Sequence, residues 1–216
     1  MKQASIGAAE EIIRRGGIIA IARGSFEPER LAELAAVLRD AGYTALEVTL
    51  NSDDALGHIG RLADRVGDDM LVGAGTVLSE RQAEEAVAAG ARFLVAPGYD
   101  AATVAWARKA GILHLPGVMT PTEVQTAAAD GCSMVKLFPS EALGTAYLKA
   151  LRAPFHDMGF VPTGGISAAN AGTWRAAGAV AVGAGSTLIR PGITAADLKP
   201  LAKALRQAWN GDTHER

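Results

Sequence analysis

A single lysine interrupts the apolar run "SMVKLFPSEALG" at residues 133–144, and a single glutamate interrupts "ALEVTLNS" at residues 45–52. An ammonium group among apolar neighbours loses the solvation of its charged form, so its pKa falls and the neutral amine can attack a carbonyl. The other reading of Lys136 is a stem buried along a strand that carries its tip out to water. Glu47 also has two readings. It can move protons beside the amine, or it can be the partner of an ion pair with Arg23 or Lys136, since a charge buried without a partner costs too much. Of the six lysines, Lys2, Lys109, Lys149, Lys199 and Lys203 read as terminal or helical surface residues, and Lys136 alone falls in a strand-like run. An amine and a carboxylate facing each other in a small apolar chamber are what imine chemistry on a ketone needs.

Two glycine loops add a second signal. "PTGGIS" at residues 162–167 reads as strand, two glycines and helix start, and "GAGST" at residues 183–187 repeats the plan. Glycines let backbone N–H groups approach an anion, and a helix N-terminus adds favourable partial charge. Tight turns are the alternative, but the pairing in successive units favours phosphate, with Gly164, Gly165, Gly185 and Ser186 as the candidates. Thr76 in "GAGTVL" and Arg23 in "AIARG" close other strand-like runs. The histidines His58, His114, His156 and His214 are scattered, so no metal site is expected, and His114 reads as a core or barrel-lining residue. Glu141, near a helix start, reads as a capping or solvated acid, and Trp106, Trp174 and Trp209 as packing.

These residues need elements to hold them. Eight short apolar runs recur: "GIIAIA", "ALEVTL", "MLVGAG", "RFLVAP", "ILHLP", "SMVKLF", "GFVPTGG" and "AVAVGAG". Helical spacing fills the gaps, as in Leu31, Leu34, Ala35 and Leu38. Glycines 17, 42, 67, 90, 111, 131, 159 and 178 precede or open the runs, as helix C-caps do in a strand–helix alternation. Ser79 with Gln82, and Thr120 with Pro121 and Glu123, mark helix starts. Eight strands buried on both faces predict a (β/α)8 barrel, one domain over residues 1–216, with a short N-terminal helix over residues 3–15 closing the bottom. An open doubly wound sheet is the alternative, but "AIARGSFEPER" carries one glycine where a nucleotide loop needs several. Barrels work at the C-terminal ends of their strands. Ala45, Glu47 and Thr49 share one strand face, and Met134, Lys136 and Phe138 another, so inward-pointing faces would bring carboxylate and amine into one pocket.

Composition narrows the partners. The 216 residues are 49% hydrophobic with a net charge of -2, which leaves no basic footprint for nucleic acid or an anionic membrane. The lone Cys132 reads as a small buried residue at a strand start. The N-terminal stretch lacks the apolar core of a signal peptide and no run approaches the ~18 apolar residues of a membrane span, so a soluble cytoplasmic protein is expected.

"EVTLNS", "GAGTVLS", "VKLFPSEALG", "PTGGIS" and "GAGS", in this order, resemble the class I aldolases that cleave 2-keto-3-deoxy-6-phosphogluconate or its galactonate epimer, over roughly residues 10–192. The resemblance implies a (β/α)8 barrel, a pyruvate Schiff base on Lys136 and proton transfer by Glu47. It also implies Arg23 and Thr76 at the substrate carboxylate, Gly165, Gly185 and Ser186 at its phosphate, no cofactor, and a homotrimer. Asn51 stands where gluconate-type members usually carry an arginine, and Arg23 resembles the corresponding galactonate-type arginine. Thr163 and Thr49 resemble the gluconate type instead, so the resemblance leans to phosphogluconate. The galactonate epimer and 4-hydroxy-2-oxoglutarate remain alternative substrates. The rival readings are a phosphate-binding barrel isomerase or decarboxylase in which Lys136 only pairs with Glu47, and a binding or regulatory barrel.

Overall fold

The computed structural model describes residues 5–211; the expected helix start at residue 3, both chain ends, Lys2 and His214 lie outside them. The described chain runs α1 (Ile6–Gly16), β1 (Ile18–Ala22), α2 (Pro28–Asp40), β2 (Ala45–Thr49), α3 (Ala55–Val66), β3 (Leu71–Gly75), α4 (Glu80–Ala88), β4 (Phe93–Val95) and α5 (Ala101–Ala110). It continues as β5 (Leu113–Leu115), β6 (Gly117–Val118), α6 (Pro121–Ala129), β7 (Met134–Leu137), α7 (Ser140–Arg152), β8 (Gly159–Pro162), α8 (Ala171–Ala176), β9 (Val182–Ala184) and α9 (Ala195–Asn210). Each of the eight apolar runs contains a strand. The fifth is broken at Pro116, which has no N–H to give a ladder, so it appears as β5 paired with β4 and β6 paired with β7.

All pairings are parallel. The sheet orders are β5-β4-β3-β2-β1-β9 and β6-β7-β8. Pro116 joins them on one side and a parallel bridge between Thr163 and Gly183 on the other, completing a (β/α)8 ring. Every strand is buried along its length because it faces two cores. The outer core packs Leu34 and Leu38 of α2 and Ile59 and Leu62 of α3 against the sheet. The inner core fills the lower barrel with Ile19, Leu71, Phe93, Leu113 and Met134, and Ala9 and Ile13 of α1 plug its floor. Burying Ile13 alone contributes roughly 1.5–3 kcal/mol by area.

The local start and stop signals mostly act as expected. The Ser5 hydroxyl accepts from the Ala8 N–H and caps α1, while Thr120 and Glu123 form a reciprocal capping box on α6. At α4 the Ser79 hydroxyl accepts from the Gln82 N–H, but the Gln82 side chain accepts from Leu78 rather than from Ser79. Gly159 differs from the other seven glycines: it opens β8 instead of ending a helix, and a side chain there would meet Met134 and Arg14. Among the described residues no helix is long and apolar enough to cross a membrane.

Candidate active site

Lys136 and Glu47 project into the barrel one step above the inner core. Met134 and Ala45 belong to that core, and two residues further along each strand the same face carries the amine and the carboxylate. In register, Glu47 lies between Ile21 and Gly73, and Lys136 between Gly117 and Val161. Both side chains are buried, each residue 2% exposed, so Lys136 does not carry its tip to bulk water. Glycines on β3 make room for this layer. A Cβ at Gly73 would press on the Phe93 ring, and one at Gly75 would overlap the Glu47 carboxyl group and lie 2.7 Å from its Cγ.

The two head groups do not close into an ion pair within 4.0 Å, and Glu47 Oε1 is buried without a hydrogen-bond partner. The Lys136 Nζ sits 4.7 Å from the centroid of the Phe138 ring. Burial dominates the titration of both groups. It holds the Lys136 amine below the usual lysine range, with Glu47 pulling it back up and Arg23 pushing it further down. It lifts the Glu47 carboxyl above the usual range, with Lys136 and then Arg23 opposing. Each shift favours a neutral form: an unprotonated amine, and a carboxyl able to donate a proton.

Arg23 follows β1 and is exposed, yet its charge is felt by both buried groups. Its loop is tied to the end of β2, because the Gly24 N–H donates to Ser52 Oγ at 2.9 Å and Ser52 Oγ is 2.9 Å from Thr49 Oγ1. Thr76, after β3, takes a left-handed backbone at φ 58, an uncommon conformation for a β-branched residue. The following Val77 N–H donates to Val95 at 3.1 Å. Asn51 lies exposed in the turn after β2, away from the cavity described next.

A cavity of about 180 Å³ opens where β1, β8 and β9 end. All four glycine-loop candidates, Gly164, Gly165, Gly185 and Ser186, line it, and so do Arg23 and Thr163. The loop carbonyls are engaged elsewhere: that of Gly164 accepts from Ser140 Oγ, that of Gly165 from Asn170 Nδ2, and that of Gly185 from the Leu188 and Ile189 N–H groups. The N–H groups of Gly165 and Ser186 donate to no acceptor among the described residues. Thr163 is 7% exposed and its hydroxyl makes one long bond, 3.4 Å, to the Val161 carbonyl. Glu141 packs along Gly165 in the first turn of α7 without lining the cavity. His114 is buried but faces the outer layer near Val104 and Arg108 rather than the barrel.

Phe138 shares the inward face with Lys136, as the strand parity predicts, and lines the cavity. Two contributors were not foreseen, Gly75 and Arg190. The usable signal for Gly75 was its parity with Leu71 on a strand facing the core. Arg190 lines the cavity through a turn that spacing alone does not reveal.

The family model described as KDPG and KHG aldolase matches residues 9–204. The chain belongs to the KDPG and KHG aldolase family. A probable 2-dehydro-3-deoxy-6-phosphogalactonate aldolase of Rhizobium meliloti is 37% identical over 194 residues, covering 89% of this chain and 91% of that protein. A 2-dehydro-3-deoxy-phosphogluconate aldolase of Treponema pallidum is 42% identical over 139 residues, covering 64% and 66%. Among solved structures, a native KDPGal structure superposes with a TM-score of 0.86 at 33% identity, covering 90% of this chain and 94% of that one. The KDPG aldolase of Legionella pneumophila, with pyruvate captured as a covalent carbinolamine, gives 0.77 at 29% identity, covering 93% and 95%. The aldolase family thus agrees with the resemblance carried by the motifs.

Proposed function

We propose that this aldolase reversibly cleaves 2-dehydro-3-deoxy-6-phosphogluconate to pyruvate and glyceraldehyde 3-phosphate through an imine on Lys136. The observation that carries the reading is a buried amine held below its ordinary pKa beside a buried carboxyl group with an unpartnered oxygen. The neutral Nζ adds to the C2 ketone, and loss of water, with a proton supplied by Glu47, leaves a protonated imine. That cation accepts the electron pair of the C3–C4 bond while the C4 hydroxyl gives its proton to the Glu47 carboxylate through a water. Glyceraldehyde 3-phosphate departs, the remaining enamine takes a proton at C3, and hydrolysis returns pyruvate and the free amine. The sequence of steps needs no cofactor. Arg23 and Thr76 take the substrate carboxylate, Thr163 meets the C4 hydroxyl, and Gly164, Gly165, Gly185 and Ser186 hold the phosphate. The carbinolamine trapped in the Legionella relative supports the same first step here.

A second reading, the 6-phosphogalactonate epimer, draws support from Arg23 lining the cavity while Asn51 lies exposed outside it. The longer match to the Rhizobium protein points the same way. Cleavage of the two C4-epimeric 6-phosphates, followed by coupling pyruvate release to lactate dehydrogenase, separates the readings. Removing the hydroxyl with Thr163→Val should lower the gluconate-to-galactonate ratio of kcat/KM roughly tenfold, the cost of one lost hydrogen bond. Borohydride with pyruvate should leave a stable adduct on Lys136; no mass shift under conditions that turn substrate over would rule out the imine and favour an isomerase or decarboxylase. A homotrimer belongs to the same reading through the family resemblance, and light scattering in solution tests it.

A further inference from the structure

We infer that Arg190 is the side-chain cation for the substrate's terminal phosphate and sets this enzyme's preference for a phosphorylated over an unphosphorylated keto acid. The inference rests on the phosphate reading of the cavity and adds to it a residue outside both glycine loops. The cavity lining contains no carboxylate and two guanidinium groups, those of Arg23 and Arg190. Among the described residues neither has a hydrogen-bond acceptor or an ion-pair partner, whereas Arg30, Arg61, Arg65 and Arg92 each hold a carboxylate within 3.0 Å. Two unneutralised cations around one small cavity attract an anion, and a phosphate dianion uses more of that field than a carboxylate does.

The backbone explains how residue 190 reaches the site. The Gly185 carbonyl accepts from both the Leu188 and Ile189 N–H groups at 2.8 Å, which folds the chain into a tight turn directly after the glycine loop. Leu188 and Ile189, each 1% exposed, anchor that turn in the outer core, and the Thr187 hydroxyl donates to the Ile166 carbonyl of the neighbouring loop. Pro191 then packs over Gly24, where a Cβ would lie 2.8 Å from the proline Cγ, so the segment abuts the loop of Arg23. Arg190 is therefore held at the cavity lining by contacts on both flanks.

The two arginines divide the substrate between them. Arg23 perturbs both Glu47 and Lys136, which places its charge toward the reacting end. Arg190 follows the Gly185–Ser186 loop, where the phosphate reading puts the substrate's other end. Backbone amides orient phosphate oxygens but carry no net charge; a guanidinium supplies paired donors together with the charge. Binding energy from this remote group positions the substrate without entering the chemistry.

The test compares wild type with Arg190→Gln and Arg190→Lys, using 2-keto-3-deoxy-6-phosphogluconate and unphosphorylated 2-keto-3-deoxygluconate. Arg190→Gln should lower the phosphorylated-to-unphosphorylated ratio of kcat/KM by roughly 10- to 100-fold, the range for losing a hydrogen bond to a charged group, mainly through KM. Inorganic phosphate should weaken as a competitive inhibitor by a similar factor. Arg190→Lys should recover part of both losses. A ratio in Arg190→Gln within twofold of wild type overturns the inference while leaving the phosphate reading intact on the backbone amides. An equal loss on both substrates also overturns it, because it traces to a disturbed fold. If wild type itself shows no preference for the phosphate ester, the phosphate reading fails and this inference with it.

Discussion

Gly75→Ala tests whether the position of the Glu47 carboxyl governs turnover. The added Cβ would lie 2.7 Å from Glu47 Cγ and overlap the carboxyl group itself. Carbon atoms pack at about 3.5–4.0 Å, so the glutamate must retreat by roughly 1 Å. A misplacement of about 1 Å can cost on the order of 100-fold in rate, or about 2.7 kcal/mol on the barrier. Overpacking the barrel would cost roughly 1–3 kcal/mol of stability as well, which circular dichroism during thermal unfolding would report. The expected result in the pyruvate-release assay is a kcat about 100-fold below wild type. The three atoms nearest the added Cβ all belong to Glu47, so the borohydride adduct of Lys136 with pyruvate should still accumulate on long incubation. Two controls separate the site from the scaffold. Gly73→Ala presses on Phe93 in the inner core, and Gly98→Ala meets no heavy atom within 4 Å. A kcat for Gly75→Ala within threefold of wild type would refute Glu47 as the proton shuttle. Equal losses in Gly73→Ala and Gly75→Ala would show that any crowding of the barrel suffices.

The coupled titration of the buried pair gives a second expectation. Imine formation needs the neutral amine, so the trapping rate should climb with pH through an apparent pKa below that of an ordinary lysine. Because the Glu47 charge raises the Lys136 pKa, Glu47→Gln should move this acid limb to lower pH; a limb that stays or moves upward contradicts the electrostatic coupling. His114 gives a third expectation, on stability. Burial pushes its pKa down to about 4, and neither ring nitrogen has a hydrogen-bond partner. Between that value and the ordinary 6.5 the unfolded chain binds more protons than the fold, so stability is lost as pH falls through this window and levels off below it. The loss attributable to His114 is about 3 kcal/mol. His114→Leu should remove that part of the slope in denaturant melts from pH 7 to pH 4, and an unchanged slope would mean the ring is protonated at little cost.

The barrel was legible because its physics is written in repeated local signals. Strands buried on both faces read as unbroken apolar runs, and the parity that puts Ala45 and Met134 in the inner core also puts Glu47 and Lys136 just above it. The break at Pro116 was not anticipated. A proline in a strand interrupts the ladder, and here both halves of the strand still pair with their own neighbours. Arg190 was hidden for a different reason: its place depends on the double hydrogen bond to the Gly185 carbonyl, a three-dimensional fact with no fixed sequence spacing.

The glycines show most clearly where letters stop carrying meaning. "GAG" occurs at residues 73–75 and again at 183–185, and the two copies do different work. Gly73 and Gly75 yield space to Phe93 and Glu47, and Gly183 yields space to Thr163, so protein packing accounts for all three. Gly185 is different. A Cβ there would meet only Ile21, at 3.9 Å, an ordinary contact, and its backbone is not in the left-handed region that favours glycine. Neither packing nor conformation requires glycine at this position. What a side chain would occupy there is the cavity itself, beside the Ser186 N–H, where the proposed phosphate would approach the backbone. The same sequence motif thus yields space to packed side chains inside the barrel and, at Gly185, leaves the backbone open to the cavity at its rim, a distinction that appears only when each missing Cβ is tested against its surroundings.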